Sequence, residues 1–191
     1  MTDEARLEQI IRDDAPFMAI LEAVRDCDPP DWLVGAGALR SLVWDCLHGY
    51  TEPTPFRDVD VAFFDPTDLR PERDAEVEAQ LRARLPGVPW QAKNQAAVHL
   101  WYPERFSLDV PPLVSSADAV GTWPETATSV AVRLLPDDSL LVVAPCGLAD
   151  LLGMALRHNP RRVTRELFLR RAREKDIRRK WPLVELKLDA D

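Results

Sequence analysis

Arg57-Asp58-Val59-Asp60-Val61-Ala62-Phe63-Phe64 decides how this chain of 191 residues is read. Apolar Val59, Val61 and Phe63 alternate with the two acids, the period of a strand that buries one face and leaves the other open. Both carboxylates then leave the same face. Aspartates at i and i+2 on a strand have Cα atoms roughly 6.6 Å apart, close enough to share one Mg²⁺ or to bridge two ions about 3.5–4 Å apart. Burying two like charges unpaired costs on the order of several kcal/mol, so such a pair either stands in water or holds a cation.

Upstream, Asp31-Trp32-Leu33-Val34 reads as a short buried strand and Gly35-Ala36-Gly37 as a tight turn. Ala38 to Leu47 reads as a helix with Leu39, Leu42, Val43, Cys46 and Leu47 facing inward and Gly49 as its C-cap. A strand, a glycine turn and a helix N-terminus leave free backbone N–H groups and the positive end of the helix dipole facing one point, which favours an anion such as a phosphate. Arg40 and Ser41 fall in that first turn. The plainer reading is a chain reversal beside a surface arginine.

Together these pieces resemble the nucleotidyltransferase superfamily, which contains DNA polymerase beta and the CCA-adding enzymes. Its pattern is a Gly-Gly or Gly-Ser turn opening a helix, then an Asp-x-Asp strand that carries catalytic metals. Here the turn is Gly35-Ala36-Gly37-Ala38, with Ala38 where a serine often stands, and the acids are Asp58 and Asp60. A closer resemblance, from Asp31 onward, is to the bacterial group known only as nucleotidyltransferase family proteins. It rests on Gly37 to Asp45, Asp58 to Val61, Val88 to Ala96, Trp123 to Leu134 and Ala144 to Leu152.

The resemblance implies an α/β (α+β) fold, a mixed β-sheet flanked by helices. It also implies Mg²⁺ or Mn²⁺ on Asp58 and Asp60, and a nucleoside triphosphate held by Gly35, Gly37, Arg40, Ser41, Lys93 and Asn94. The expected activity moves a nucleoside monophosphate from the triphosphate to a hydroxyl acceptor, which the likeness leaves open among small molecules, RNA and protein. The superfamily takes a third carboxylate from a neighbouring strand. The equivalent strand here, Pro89 to Asn94, offers Gln91, Lys93 and Asn94 but no acid; Asp109, flanked by Pro111 and Pro112, is a fallback in a loop. A catalytically inactive relative serving as a regulatory or RNA-binding protein is therefore kept as the alternative.

Bulk properties suit a single cytoplasmic domain over residues 1–191, with a helix at 2–26, a core at 31–157 and a basic helix at 161–180. No run approaches the roughly 18 apolar residues of a membrane helix, and the acidic start is unlike a secretory signal. Cys27, Cys46 and Cys146 are widely spaced, without a Cys-x-x-Cys, which suggests reduced thiols. A net charge of −8 argues against broad nucleic-acid binding. Residues 161–180, by contrast, carry ten Arg and Lys, either a solvated face or a path for RNA or a triphosphate. The helix at 2–26 is expected to bend near Pro16. Residues 71–85 read as a charged helix, Ser129 to Ala144 as a hairpin around Pro136-Asp137-Asp138, and Gly147 to Arg157 as a short helix. The oligomeric state has no signature in the sequence.

Overall fold

In the computed structural model, which describes residues 1–55 and 57–188, the chain begins with two helices, α1 (Asp3–Asp13) and α2 (Ala15–Cys27). The expected bend near Pro16 is a full break. Asp14 ends α1 and caps α2, its carboxylate accepting the Phe17 N–H at 2.7 Å, while Pro16 sits in the first turn of α2, where its missing N–H costs nothing.

The chain then forms β1 (Leu33–Gly35) and passes directly into α3 (Ala36–His48). Gly49, at φ 68°, closes α3 by donating to the Asp45 and Cys46 carbonyls. Next come β2 (Val59–Phe63), α4 (Glu72–Arg84) and β3 (Trp90–Asn94). Beyond a 3₁₀ turn at Gln95–Ala97 lie α5 (Val98–Phe106) and the short α6 (Ser116–Val120). The expected hairpin is β4 (Ala131–Leu134) and β5 (Leu140–Val143), paired antiparallel.

The five strands lie in the order β3-β2-β1-β4-β5. Only β2 and β3 run parallel, so the sheet is mixed, and helices flank it. Val59, Val61 and Phe63 are at most 1% exposed, as their alternation requires. They join a core built from α1, α2, α3 and the sheet, to which Phe168, Ile177 and Trp181 also belong.

Two elements depart from expectation. The helix read at Gly147 to Arg157 is only α7 (Ala149–Leu152); the chain turns at Met154, φ 53°, and continues as β6 (Ala155–Arg157). The basic segment is not one helix but α8 (Arg165–Glu174) and α9 (Ile177–Lys180), divided at Asp176, φ 55°, and followed by β7 (Glu185–Lys187). The partner that turns 155–157 into a strand is β7, about thirty residues away and invisible to a local pattern. Cys46 lies on the exposed side of α3, not inward; the inward positions are taken by Ala38, Leu39, Val43 and Trp44. All three cysteines are free. Among the described residues no helix is long and apolar enough to cross a membrane.

Candidate functional site

The turn between β1 and α3 is one residue deep. Ala36 takes the left-handed conformation, φ 54°, and its N–H donates to the Val130 carbonyl at 3.3 Å. Gly35 is needed for a different reason from the one expected. A Cβ there would lie 2.4 Å from the Val130 oxygen and 2.7 Å from the Ala131 side chain, so its missing side chain lets β4 close against β1 rather than freeing an N–H for phosphate. Gly37 has open space around it, and Gly35, on the other side of the turn, stands opposite Asp60 in the antiparallel register of β1 and β2.

That register sets the strand acids beside the start of the helix. Asp58 and Asp60 share a cavity of about 610 Å³ with Gly37, Arg40 and Ser41, a volume in the range of small-molecule sites. Burial, and next the charge of Asp58, push the Asp60 carboxyl up to about 6; Lys175, Arg171 and the Gly37 N–H pull the other way. Two carboxylates, hard oxygen donors lining one cavity, fit Mg²⁺ or Mn²⁺.

The neighbouring strand β3 carries no acid. In the parallel register Asp60 stands opposite Gln91, which also lines the cavity. Asp109 lies in an exposed loop outside it. Among the described residues no three His, Cys, Asp or Glu side chains gather at a metal-binding distance.

Arg40 is not a surface residue. It is 5% exposed, and its guanidinium carbon lies 4.9 Å from the ring of Trp44 and 4.5 Å from that of Trp181. Its Nε and Nη1 have no hydrogen-bond partner among the described residues. Burial pulls its pKa down, against Glu125 and Asp45. Asp45 fixes the arrangement, accepting the Trp181 indole N–H at 2.6 Å and the Thr54 N–H and hydroxyl at 2.6 and 2.7 Å. Such a guanidinium, stacked and unpaired, is positioned for an anion.

Two expected contacts are altered. Lys93 reaches the cavity edge but is paired with Asp74, Nζ to Oδ2 at 2.6 Å. Asn94 is 2% exposed and lies outside the cavity wall. Its Oδ1 accepts the Asp65 and Ala96 N–H groups at 3.0 and 3.1 Å, and its Nδ2 donates to the Asp65 and Asp68 carbonyls at 2.9 and 2.8 Å. Its amide holds the loop after β2 and has nothing left to offer a nucleotide.

The cations instead come from the C-terminal segment. Arg162, Arg171, Lys175 and Lys180 all line the cavity, which counts eight Lys and Arg against three acids in its wall. The pocket is therefore locally cationic in a chain of net charge −8. Lys175 lies 3.4 Å from Glu125, which is 1% exposed, and burial lowers the Lys175 pKa against that partner's pull. Arg171 leaves a buried Nε with no partner among the described residues. Trp123 and Pro124 line the cavity as well. Lys175 was signalled only by composition, as part of the basic run at 161–180, and Trp181, one residue beyond it, was not signalled.

The chain belongs to the nucleotidyltransferase family, whose sequence model matches residues 22–186. More particularly, it is similar to a protein solved by NMR and described as revealing a CCA-adding enzyme head domain. That likeness has 29% identity, covers 94% of this chain and 95% of the other, and has a TM-score of 0.74. It shares its fold with a CCA-adding enzyme solved with CTP, at 14% identity and TM-score 0.55, over 95% of this chain and 43% of that one. The Thermotoga maritima CCA-adding enzyme complexed with tRNA gives 13% identity and 0.56, over 96% of this chain and 42% of the other. The chain thus spans less than half the length of those two enzymes. No curated protein matches the sequence.

Proposed function

We propose that the protein is a metal-dependent nucleotidyltransferase that moves a nucleoside monophosphate from a nucleoside triphosphate to an acceptor hydroxyl. The observation that carries this reading is the antiparallel register that sets Asp60 opposite Gly35, next to the start of α3, with Asp58 and Gly37 lining the same cavity. In this reading Gly37 and the N-terminus of α3 receive the β- and γ-phosphates, beside Ser41. Arg40, Arg171 and Lys175 offset the phosphate charge, and Lys93, already paired with Asp74, adds its field from the rim. Asp58 and Asp60 would hold Mg²⁺ or Mn²⁺, which would supply positive charge to the phosphates of the triphosphate. The acceptor enters beside Gln91, whose amide orients it by hydrogen bonding.

The test is calorimetric titration of a nucleoside triphosphate with and without Mg²⁺. Asp58→Asn and Asp60→Asn are each expected to abolish the Mg²⁺-dependent part of binding; unchanged affinity in either defeats the assignment. Gln91, opposite Asp60 where the superfamily has an acid, favours one second reading, a protein that keeps the nucleotide without transferring it. Incubation of radiolabelled nucleotide with cell extract separates the two, because only a transferase labels an acceptor.

A further inference from the structure

The cavity has a second wall that phosphate and metal leave unused. After β3 and its 3₁₀ turn, α5 lines the same cavity with Trp101, Tyr102 and Phe106. The Tyr102 ring touches both neighbours, with centroids 5.8 Å from Trp101 and 4.5 Å from Phe106. The Arg162 guanidinium stands 5.8 Å over Tyr102 and is steadied there by donating to the Pro111 carbonyl at 3.0 Å. Val98, Leu113 and Ala119 support Trp101 and Tyr102 from beneath. The core nonetheless does not absorb the aromatics: Trp101 and Tyr102 are half-buried and Phe106 is 43% exposed.

Sheet order gives this wall its place. β2, with Asp60, lies between β1 and β3. The helix start at Gly37 follows β1, and α5 follows β3. Gly37, the two aspartates and the α5 aromatics all line the one cavity. A molecule that is polyanionic at one end and carries a flat heterocycle at the other fits it.

We infer that Trp101, Tyr102, Phe106 and Arg162 form the subsite for the nucleobase of the bound nucleoside triphosphate. The inference rests on the proposed function and adds to it where the base lies. Every base offers a π-face, and stacking on aromatic rings with a guanidinium nearby binds it without reading its edge.

Titration of ATP and of inorganic tripolyphosphate, both with Mg²⁺, into the full chain tests this. Tyr102→Ala is expected to weaken ATP about tenfold while leaving tripolyphosphate unchanged, and Tyr102→Phe to restore wild-type affinity. Phe106→Ala, at an exposed position, gives a smaller loss of the same kind and stands in if Tyr102→Ala fails to fold. Equal ATP affinity in wild type and variants overturns the subsite alone, as does loss of ATP and tripolyphosphate together. So does an effect confined to a single-stranded oligoribonucleotide, which would make the wall an acceptor surface. Wild-type protein that binds neither ATP nor tripolyphosphate overturns the proposed function as well.

Discussion

Asp60 is held in a place that costs the folded chain stability. Its carboxyl, ordinarily near 3.8, titrates at about 6 in the metal-free fold. A raised acid pKa means the native state keeps a proton that the unfolded state has released. Stability therefore falls as pH rises from about 3.8 to 6, and the penalty is complete above that range. Asp60→Asn, measured by urea denaturation at pH 7 with a chelator present, is expected to stabilise the protein by about 1–3 kcal/mol, an advantage that vanishes below about pH 4. Asp65 has the opposite sign. Its pKa is lowered by hydrogen bonds from Thr67, with Arg73 adding to the effect; the Thr67 hydroxyl lies at 2.6 Å and Arg73 Nε at 3.1 Å. A lowered acid pKa gives stability that is full above the unfolded value and lost as pH falls through the folded one. Asp65→Asn should cost about 1–3 kcal/mol at pH 7, with the cost shrinking in acid; a loss independent of pH would mean that charge is not its source. The Asp58–Asp60 pair was legible because alternation is a local property. Asn94 was not, because its partners, Asp65 and Asp68, lie 29 and 26 positions away.

At the scale of elements, α3 and the segment from α8 to Trp181 act as one unit. Trp181 meets Trp44 edge to face at 5.4 Å, covers Arg40 and is tied to Asp45. Trp181→Ala is expected to cost about 3–5 kcal/mol in a chemical denaturation curve. In the surviving folded fraction it should also weaken tripolyphosphate binding, because Arg40 loses the ring that fixes its guanidinium. A change below about 1 kcal/mol would show that the segment is not integral to the fold. His48 closes the same corner: Nδ1 faces the Trp44 carbonyl at 2.7 Å and Nε2 accepts the Leu183 N–H at 3.1 Å. The break at Asp176 was not foreseen. Periodicity alone runs a charged segment into one long helix, whereas here the turn brings Lys175 to Glu125 and Ile177 and Trp181 into the core.

For the whole molecule, the C-terminal segment belongs to the core that the N-terminal helices begin. Phe168, Ile177, Trp181 and Val184 are each at most 2% exposed and pack in the same cluster as Leu7, Ile11 and Leu21. A chain ending at Val163 is therefore expected to lose cooperative unfolding and near-ultraviolet circular dichroism; a sharp transition with an unchanged m-value would refute this dependence. The sequence alone determined what rests on neighbours along the chain. The face on which Asp58 and Asp60 stand follows from a two-residue period, the helix after the glycine turn from its spacing, and its end at Gly49 from a left-handed cap. Tertiary structure alone decided which cations reach the cavity, that Gln91 stands opposite Asp60, that Gly35 serves packing, and that Arg40 lies between two tryptophans. Those outcomes depend on strand register and on contacts such as Asp45 with Trp181, 136 positions apart. Local propensity carries no information about which distant side chain will fill a given space.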